Sequence, residues 1–318
     1  MSWAERPSIP SKCRCPRTNV DFGEVAIKAR AIGVVSVGGK AESRGSELSP
    51  VRYFKPLRGL KTRVWPARAG GGPLRYALIL LAAIVPACAA ALPFDFVYLR
   101  DVDPTILQDI RYAGSNNFVG RPLPGYEAAE CVVKRDIARR LQAIQVELRA
   151  RGLSLKMLDC YRPVRAVAEM LAWSQDGLET TADRRYAPRV AKQDLFRLGY
   201  IALRSSHSTG AALDLTLVEL SAENSAVFDP AKDYADCTAP AALRAPEGSV
   251  DMGTGYDCSD VKAHTAAQDL TPEQRRWRAE LVAAMARQGF VNYAKEWWHF
   301  SLPGAGATTY VFPIRPRR

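Results

Sequence analysis

Apolar residues recur at helical spacing through residues 133–151, where Val133, Ile137, Leu141, Ile144 and Leu148 share one face. Gly152 follows as a C-terminal stop. Residues 153–158 then alternate as a strand does. Pro163 opens a second helix that runs to about residue 173. Residues 213–217 are β-rich and follow Gly210, Ala211 and Ala212. Thr271, Pro272 and Gln274 make a helix start, with Thr as cap, Pro at the first position and Gln three residues after the cap. That helix ends at Gly289, and the aromatic stretch 290–302 reads as a strand or a strand pair. The sum is a single α+β domain over residues 92–318, without an internal repeat.

The N-terminal quarter follows a different pattern. Residues 1–60 have no sustained apolar periodicity and are dotted with Pro, Gly, Ser and Arg. An uncharged apolar run then spans residues 76–92, preceded by Arg63, Arg68 and Arg75 and ending in small residues. This is the layout of a secretory signal, with cleavage expected after Ala89 or Ala91. An uncleaved membrane anchor over residues 76–92 is the competing reading, but the run is short and Pro86 interrupts it. A lipoprotein signal at Cys88 is a further option, from Val85-Pro86-Ala87-Cys88. Because such a signal belongs at an N-terminus, residues 1–74 are expected to be either a disordered basic leader or a stretch ahead of a true start near Val64.

Charge sharpens this division. The formal net charge is +11, yet residues 1–75 hold 15 Lys and Arg against 5 Asp and Glu. The remaining 243 residues hold 29 against 28 and are nearly neutral. A nucleic-acid partner is therefore not expected of the folded part. Four of the seven cysteines, Cys131, Cys160, Cys237 and Cys258, lie beyond the signal. An even number in an exported chain is consistent with two disulfides. Of the three pairings, Cys131 with Cys160 and Cys237 with Cys258 is favoured.

The chemistry lies in two short stretches. One runs from Ser205 through His207 and Gly210 to Asp214; the other is Glu296-Trp297-Trp298-His299. A catalytic zinc takes three protein ligands and leaves one position for water. His207, Asp214 and His299 would supply those three, with Glu296 near enough to take a proton from the water. Taken singly the pieces are weak. A lone His207 is more often a hydrogen-bonded histidine, the Trp pair could be core, and Arg162 could be a structural partner of Asp159. His264 has no matching partner and reads as structural. A regular strand would point residues 296 and 299 to opposite faces, so their joint use requires a bend or bulge near Trp297 and Trp298.

Jointly the pattern resembles the D-alanyl-D-alanine dipeptidases, a branch of the zinc peptidases that also includes D,D-carboxypeptidases and hedgehog-like domains. Ser205, His207, Gly210, Ala212 and Asp214 meet the family's Ser-x-His-x-x-Gly-x-Ala-x-Asp, and Glu296, Trp298 and His299 meet its Glu-x-Trp-His. Tyr161-Arg162-Pro163, Met252-Gly253-Thr254 with Asp257, Arg111-Tyr112-Ala113, Asn117-Phe118 and Gly125-Tyr126-Glu127 match further segments in the right order, over about residues 95–315. Cys160 and Met170 stand where the family has glycine and often an aromatic residue, and export departs from its cytoplasmic members.

The resemblance implies a hedgehog/D,D-peptidase-like fold, with a central, mostly antiparallel sheet flanked by helices. It implies one zinc per chain on His207, Asp214 and His299, and hydrolysis of D-Ala-D-Ala with Glu296 as general base. Arg162, oriented by Asp159, would stabilise the oxyanion. Asp257 would bind the substrate ammonium, Ser205 would help hold its carboxylate, and Tyr112 and Tyr126 would wall the pocket. A D,D-carboxypeptidase, a peptidoglycan L,D-endopeptidase and a non-catalytic zinc or cell-wall binding module are the competing readings. The expected location is the periplasm.

Overall fold

The computed structural model of the protein describes residues 91–221 and 227–317. The leader, the apolar segment up to residue 90, and Cys13, Cys15 and Cys88 lie outside the described residues. Along the chain, β1 (Phe96–Tyr98), α1 (Leu99–Val102) and β2 (Leu107–Gln108) precede β3 (Val132–Lys134) and α2 (Arg135–Arg149). Next come β4 (Leu153–Asp159), α3 (Val164–Ser174), α4 (Thr181–Tyr186), α5 (Leu195–Leu198) and β5 (Ala212–Glu219). The chain closes with α6 (Pro272–Arg287), β6 (Val291–Asn292) and β7 (His299–Ser301). No helix among the described residues is long and apolar enough to cross a membrane.

Five strands form one sheet in the order β2-β4-β5-β7-β6, and β1 pairs with β3 in a separate two-stranded ribbon. Within the large sheet only β2 with β4 is parallel; the other pairs are antiparallel. The architecture is thus a mixture of helix and sheet, as the periodicity implies, with the mostly antiparallel pairing that the resemblance implies. The apolar stripe of α2 is the expected one: Ile137, Leu141, Ile144 and Leu148 are all buried. Each such side chain contributes about 1.5–3 kcal/mol of burial free energy. Gln145, on the same helix, is buried as well and docks it onto β4. Its amide donates to Ser154 Oγ at 2.9 Å, and its carbonyl accepts from Leu155 N at 2.9 Å.

One boundary differs from expectation. The helical period begins at Val133, but the helix starts at Arg135, because Val132–Lys134 is spent pairing with β1. Tertiary pairing overrides local periodicity there. The start of α6 is as expected: Thr271 Oγ1 accepts from Gln274 N, and Gln274 Oε1 accepts from Thr271 N. Residues 290–302 form a hairpin of two short strands, β6 and β7. Both favoured disulfides are present, Cys131–Cys160 and Cys237–Cys258.

Candidate metal centre and its cleft

The register of three neighbouring strands builds the site. Asp159 on β4 stands opposite Asp214 on β5, and Asp214 stands opposite His299 on β7. Directly opposed residues project from the same face of a sheet. The alignment depends on an irregularity in β4: Met157 pairs with Leu215, and the next pair is Asp159 with Asp214. Leu158 is the extra residue. Without this bulge Leu158 would oppose Asp214, and Asp159 would be carried past the row.

His207 reaches the row from a 3-10 turn, Ser206–Thr209, which ends on Gly210 at φ 70° and leads straight into β5. A left-handed residue there turns the chain into the strand at low cost only as glycine. Its Cβ would also strike the Phe96 ring at 2.5 Å. The expected change of direction near Trp297 and Trp298 takes the form of a turn ahead of β7. Glu296 N donates to Tyr293 O at 2.9 Å, and His299 N donates to Glu296 O at 3.3 Å. Asn292 Nδ2 donates to the carbonyls of Glu296 and His299, both at 3.0 Å, and locks that turn. Glu296 Oε2 consequently lies 3.6 Å from His299 Nδ1.

The three expected ligands converge. His207 Nε2 lies 3.1 Å from His299 Nδ1 and 3.3 Å from Asp214 Oδ1, and the last two atoms are 3.1 Å apart. Four tetrahedral ligands about 2.1 Å from a zinc sit roughly 3.4 Å from one another. The donor set of two imidazoles and a carboxylate therefore fits a zinc ion in chemistry and in spacing.

Surrounding groups fix each donor. His207 Nδ1 donates to Cys160 O at 2.8 Å, so Nε2 keeps its lone pair. Ser301 Oγ lies 3.3 Å from His299 Nε2 and leaves Nδ1 for the centre. Tyr256 donates its hydroxyl to Asp214 Oδ2 at 2.9 Å, leaving Oδ1 toward the histidines. Burial alone would raise the Asp214 pKa, but His207 and His299 outweigh it and hold the carboxyl well below the usual range. Burial pushes the His299 imidazole down.

Arg162 closes one side. Its Nε donates to Asp159 Oδ2 at 2.9 Å, its Nη2 lies 2.9 Å from the same oxygen, and its guanidinium sits 4.8 Å over the Tyr112 ring. Tyr126, expected as a pocket wall, donates to Asp159 Oδ1 at 2.7 Å and does not itself line the cleft. Tyr112 does line it, and its hydroxyl donates to Asp257 Oδ2 at 2.8 Å. Ser205 also lines it, while its Oγ accepts from His207 N at 3.3 Å. His264, expected to be structural, meets Tyr200 Oη at 3.5 Å and is not a cleft residue.

These groups open onto a cleft of about 920 Å³. Burial first, then the carboxylates of Asp214 and Asp257, push the Glu296 pKa well above its ordinary value. Burial, then Asp214, does the same to Asp257. Asp257 is held at φ 59°, a conformation that disfavours side chains other than glycine. Such strain persists where the surroundings over-determine it, commonly at functional sites.

Two groups were not anticipated. Tyr256 lies in an irregular loop without periodicity. Arg278 on α6 is almost fully buried and donates to the carbonyls of Met252, His264 and Lys262 at 2.7, 2.6 and 3.0 Å. Its signal was available, since Arg278, Leu281 and Met285 fall on one helical stripe.

Comparison with known proteins covers the same region. Residues 93–229 and 236–314 match the peptidase M15 family, described as D-ala-D-ala dipeptidase. A D-alanyl-D-alanine dipeptidase of Streptomyces coelicolor is 33% identical over 222 residues, which are 69% of this chain and 98% of the relative. The protein of that name from Enterococcus faecalis is 30% identical over 65% of this chain and 91% of its own length. One from Escherichia coli is 28% identical over 67% of this chain and 87% of its own.

Proposed function

The chain belongs to the peptidase M15 family of D-ala-D-ala dipeptidases, and from that premise we propose that it hydrolyses D-alanyl-D-alanine to two molecules of D-alanine with one zinc ion bound. The observation that carries this reading is the convergence of His207, Asp214 and His299 at 3.1–3.3 Å with Glu296 beside them at 3.6 Å. His207 Nε2, Asp214 Oδ1 and His299 Nδ1 would hold the ion. When bound, zinc supplies Lewis acidity and lowers the pKa of a water to about 7.

The chain's own groups do the rest. Glu296, kept basic by burial and by neighbouring carboxylates, takes the proton of the attacking water and returns it to the leaving amine. Arg162, clamped by Asp159 and set over Tyr112, faces the carbonyl oxygen as it gains charge. Asp257 binds the substrate ammonium, braced by the Tyr112 hydroxyl. Ser205 helps to hold the substrate carboxylate at the opposite end. Tyr126 acts at one remove, by orienting Asp159. The groups of a turnover site favour this reading over a non-catalytic binding module.

A hedgehog/D,D-peptidase-like fold and export to the periplasm go with the proposal. The two disulfides support export, because such bonds persist in oxidising compartments. The near-neutral domain supports a small-molecule substrate and no nucleic acid.

A second reading has its own support. The cleft, at about 920 Å³, is ample for more than a dipeptide, as a D,D-carboxypeptidase or L,D-endopeptidase requires. A product assay separates the two. Free D-alanine from D-Ala-D-Ala with a stem pentapeptide left intact supports the dipeptidase; cleavage of the pentapeptide with D-Ala-D-Ala left intact supports the alternative.

A further inference from the structure

Each disulfide ends on the residue that follows a site aspartate: Cys160 follows Asp159, and Cys258 follows Asp257. We infer that the two bonds are positioning devices for the two halves of the reaction, Cys131–Cys160 for the Arg162 and His207 half and Cys237–Cys258 for the Asp257 half. The inference rests on the dipeptidase reading above and assigns these cysteines a role in turnover beyond stapling the fold.

The first bond takes over where the sheet stops. Pairing between β4 and β5 ends at Asp159 with Asp214. The next three residues must then present the Cys160 carbonyl to His207 and bring Arg162 back onto Asp159. Two backbone bonds guide them, Tyr161 N to Val132 O at 3.0 Å and Arg162 N to His207 O at 3.3 Å. The disulfide adds a covalent tie to a separate layer. Cys131 is fixed at the foot of β3, where its N–H donates to Gln108 Oε1 and its carbonyl accepts from Leu99 N, both at 2.9 Å. Both cysteines are buried. A shift of Cys160 would therefore act at once on the His207 tautomer and on the Arg162 clamp.

The second bond works where there is no sheet. Among the described residues between β5 and α6, the regular structure is a single 3-10 turn, Val261–Ala263. Asp257 nevertheless keeps a left-handed backbone. Cys237 O accepts from Gly255 N at 2.8 Å on one side of it, and the sulfur of Cys237 is bonded to Cys258 on the other. The pair is anchored to the end of α4, through Cys237 N to Arg185 O and Ser259 N to Tyr186 O, both at 2.8 Å. Cys237 thus grips Asp257 from both flanks.

A simple staple would lower the melting temperature and leave the turnover constants of the folded molecules alone. Positioning separates the two bonds by which constant moves. The test uses the full chain as Cys131→Ala/Cys160→Ala and Cys237→Ala/Cys258→Ala, assayed on D-Ala-D-Ala at a temperature where circular dichroism shows both folded. Bound metal is measured in parallel. The first variant should lose about 10–100-fold in kcat and in metal affinity. The second should keep its metal and its kcat within about twofold, while KM rises on the order of tenfold. Unchanged constants in both variants, or equal changes of kcat and KM in both, would overturn the inference. Should the first variant not fold, Cys131→Val with Cys160→Ala refills the vacated volume and is read in the same way. Wild-type protein inert toward D-Ala-D-Ala would refute the dipeptidase reading itself. Metal affinity would then decide: an unchanged value in Cys131→Ala/Cys160→Ala overturns the positioning role.

Discussion

Two sides of the cleft are built by different means. At the metal end, Asp159, Asp214 and His299 hold one row across three hydrogen-bonded strands, so the ladder itself sets their spacing. On the loop side, Asp257 sits in an irregular stretch with a left-handed backbone at φ 59°. The loop is held by a disulfide, by the Tyr112 hydroxyl on Asp257, and by Arg278, which gathers three of its carbonyls. A donor set spaced at 3.1–3.3 Å needs the rigidity of a sheet, whereas a charge that would receive one end of a small substrate can be supplied by a braced loop. Damage at the sheet end should therefore fall on metal retention and kcat, and damage at the loop end on KM.

The largest effect is expected at Glu296. Glu296→Gln should keep its metal while kcat falls by about 100–10,000-fold, measured by D-alanine release beside metal analysis; full turnover would remove Glu296 as the base. Arg162→Met follows, with an expected loss of roughly 100–1000-fold in kcat. A loss confined to KM would place Arg162 in ground-state binding instead. Tyr256→Phe bridges the two ends, because a loop residue there orients a sheet ligand. Competition with a chelator should show metal affinity reduced about 10–100-fold, and unchanged affinity would mean that the sheet alone suffices.

Smaller changes are expected on the loop side. Arg278→Met strips charge-assisted bonds worth about 1.5–3 kcal/mol each. It should raise KM and lower the melting temperature while leaving metal content unchanged; loss of metal instead would tie the loop to the sheet end. The smallest effect concerns Asp251. Partial burial would raise its pKa, but Arg244, Gln274 and Gly253 N, at 2.8, 2.7 and 2.9 Å, hold it lowered. A carboxylate depressed on folding contributes stability above its unfolded pKa and loses it as pH falls through the folded one. Asp251→Asn should therefore flatten the acid limb of the stability profile, and an unaltered limb would show the pair to be idle.

Much of this was legible in the chain, for reasons that differ by region. That His207, Asp214 and His299 come together, with Glu296 and Arg162 around them, could be read because the resemblance rests on fixed residue types at short spacings within each motif. The helices α2 and α6 could be found because burial imposes a period, and Thr271 and Gln274 because capping does. The bulge at Leu158 could not, since an extra leucine in an apolar strand carries no local mark. Nor could the position of Tyr126 behind Asp159, which depends on a pairing with Ile314 far along the chain. Tyr256 was hidden in a loop whose order comes from tertiary ties. Arg278 was missed although its stripe was visible, because a charged residue on a basic helix is read as solvated by default.

The most direct measurement is metal analysis of the purified chain beside that of Asp214→Ala, each assayed on D-Ala-D-Ala with and without chelator. About one zinc per wild-type chain, activity abolished by chelator and restored by zinc, and neither metal nor activity in Asp214→Ala is the expected result. Undiminished metal in Asp214→Ala, or wild-type hydrolysis indifferent to chelator, would contradict the account.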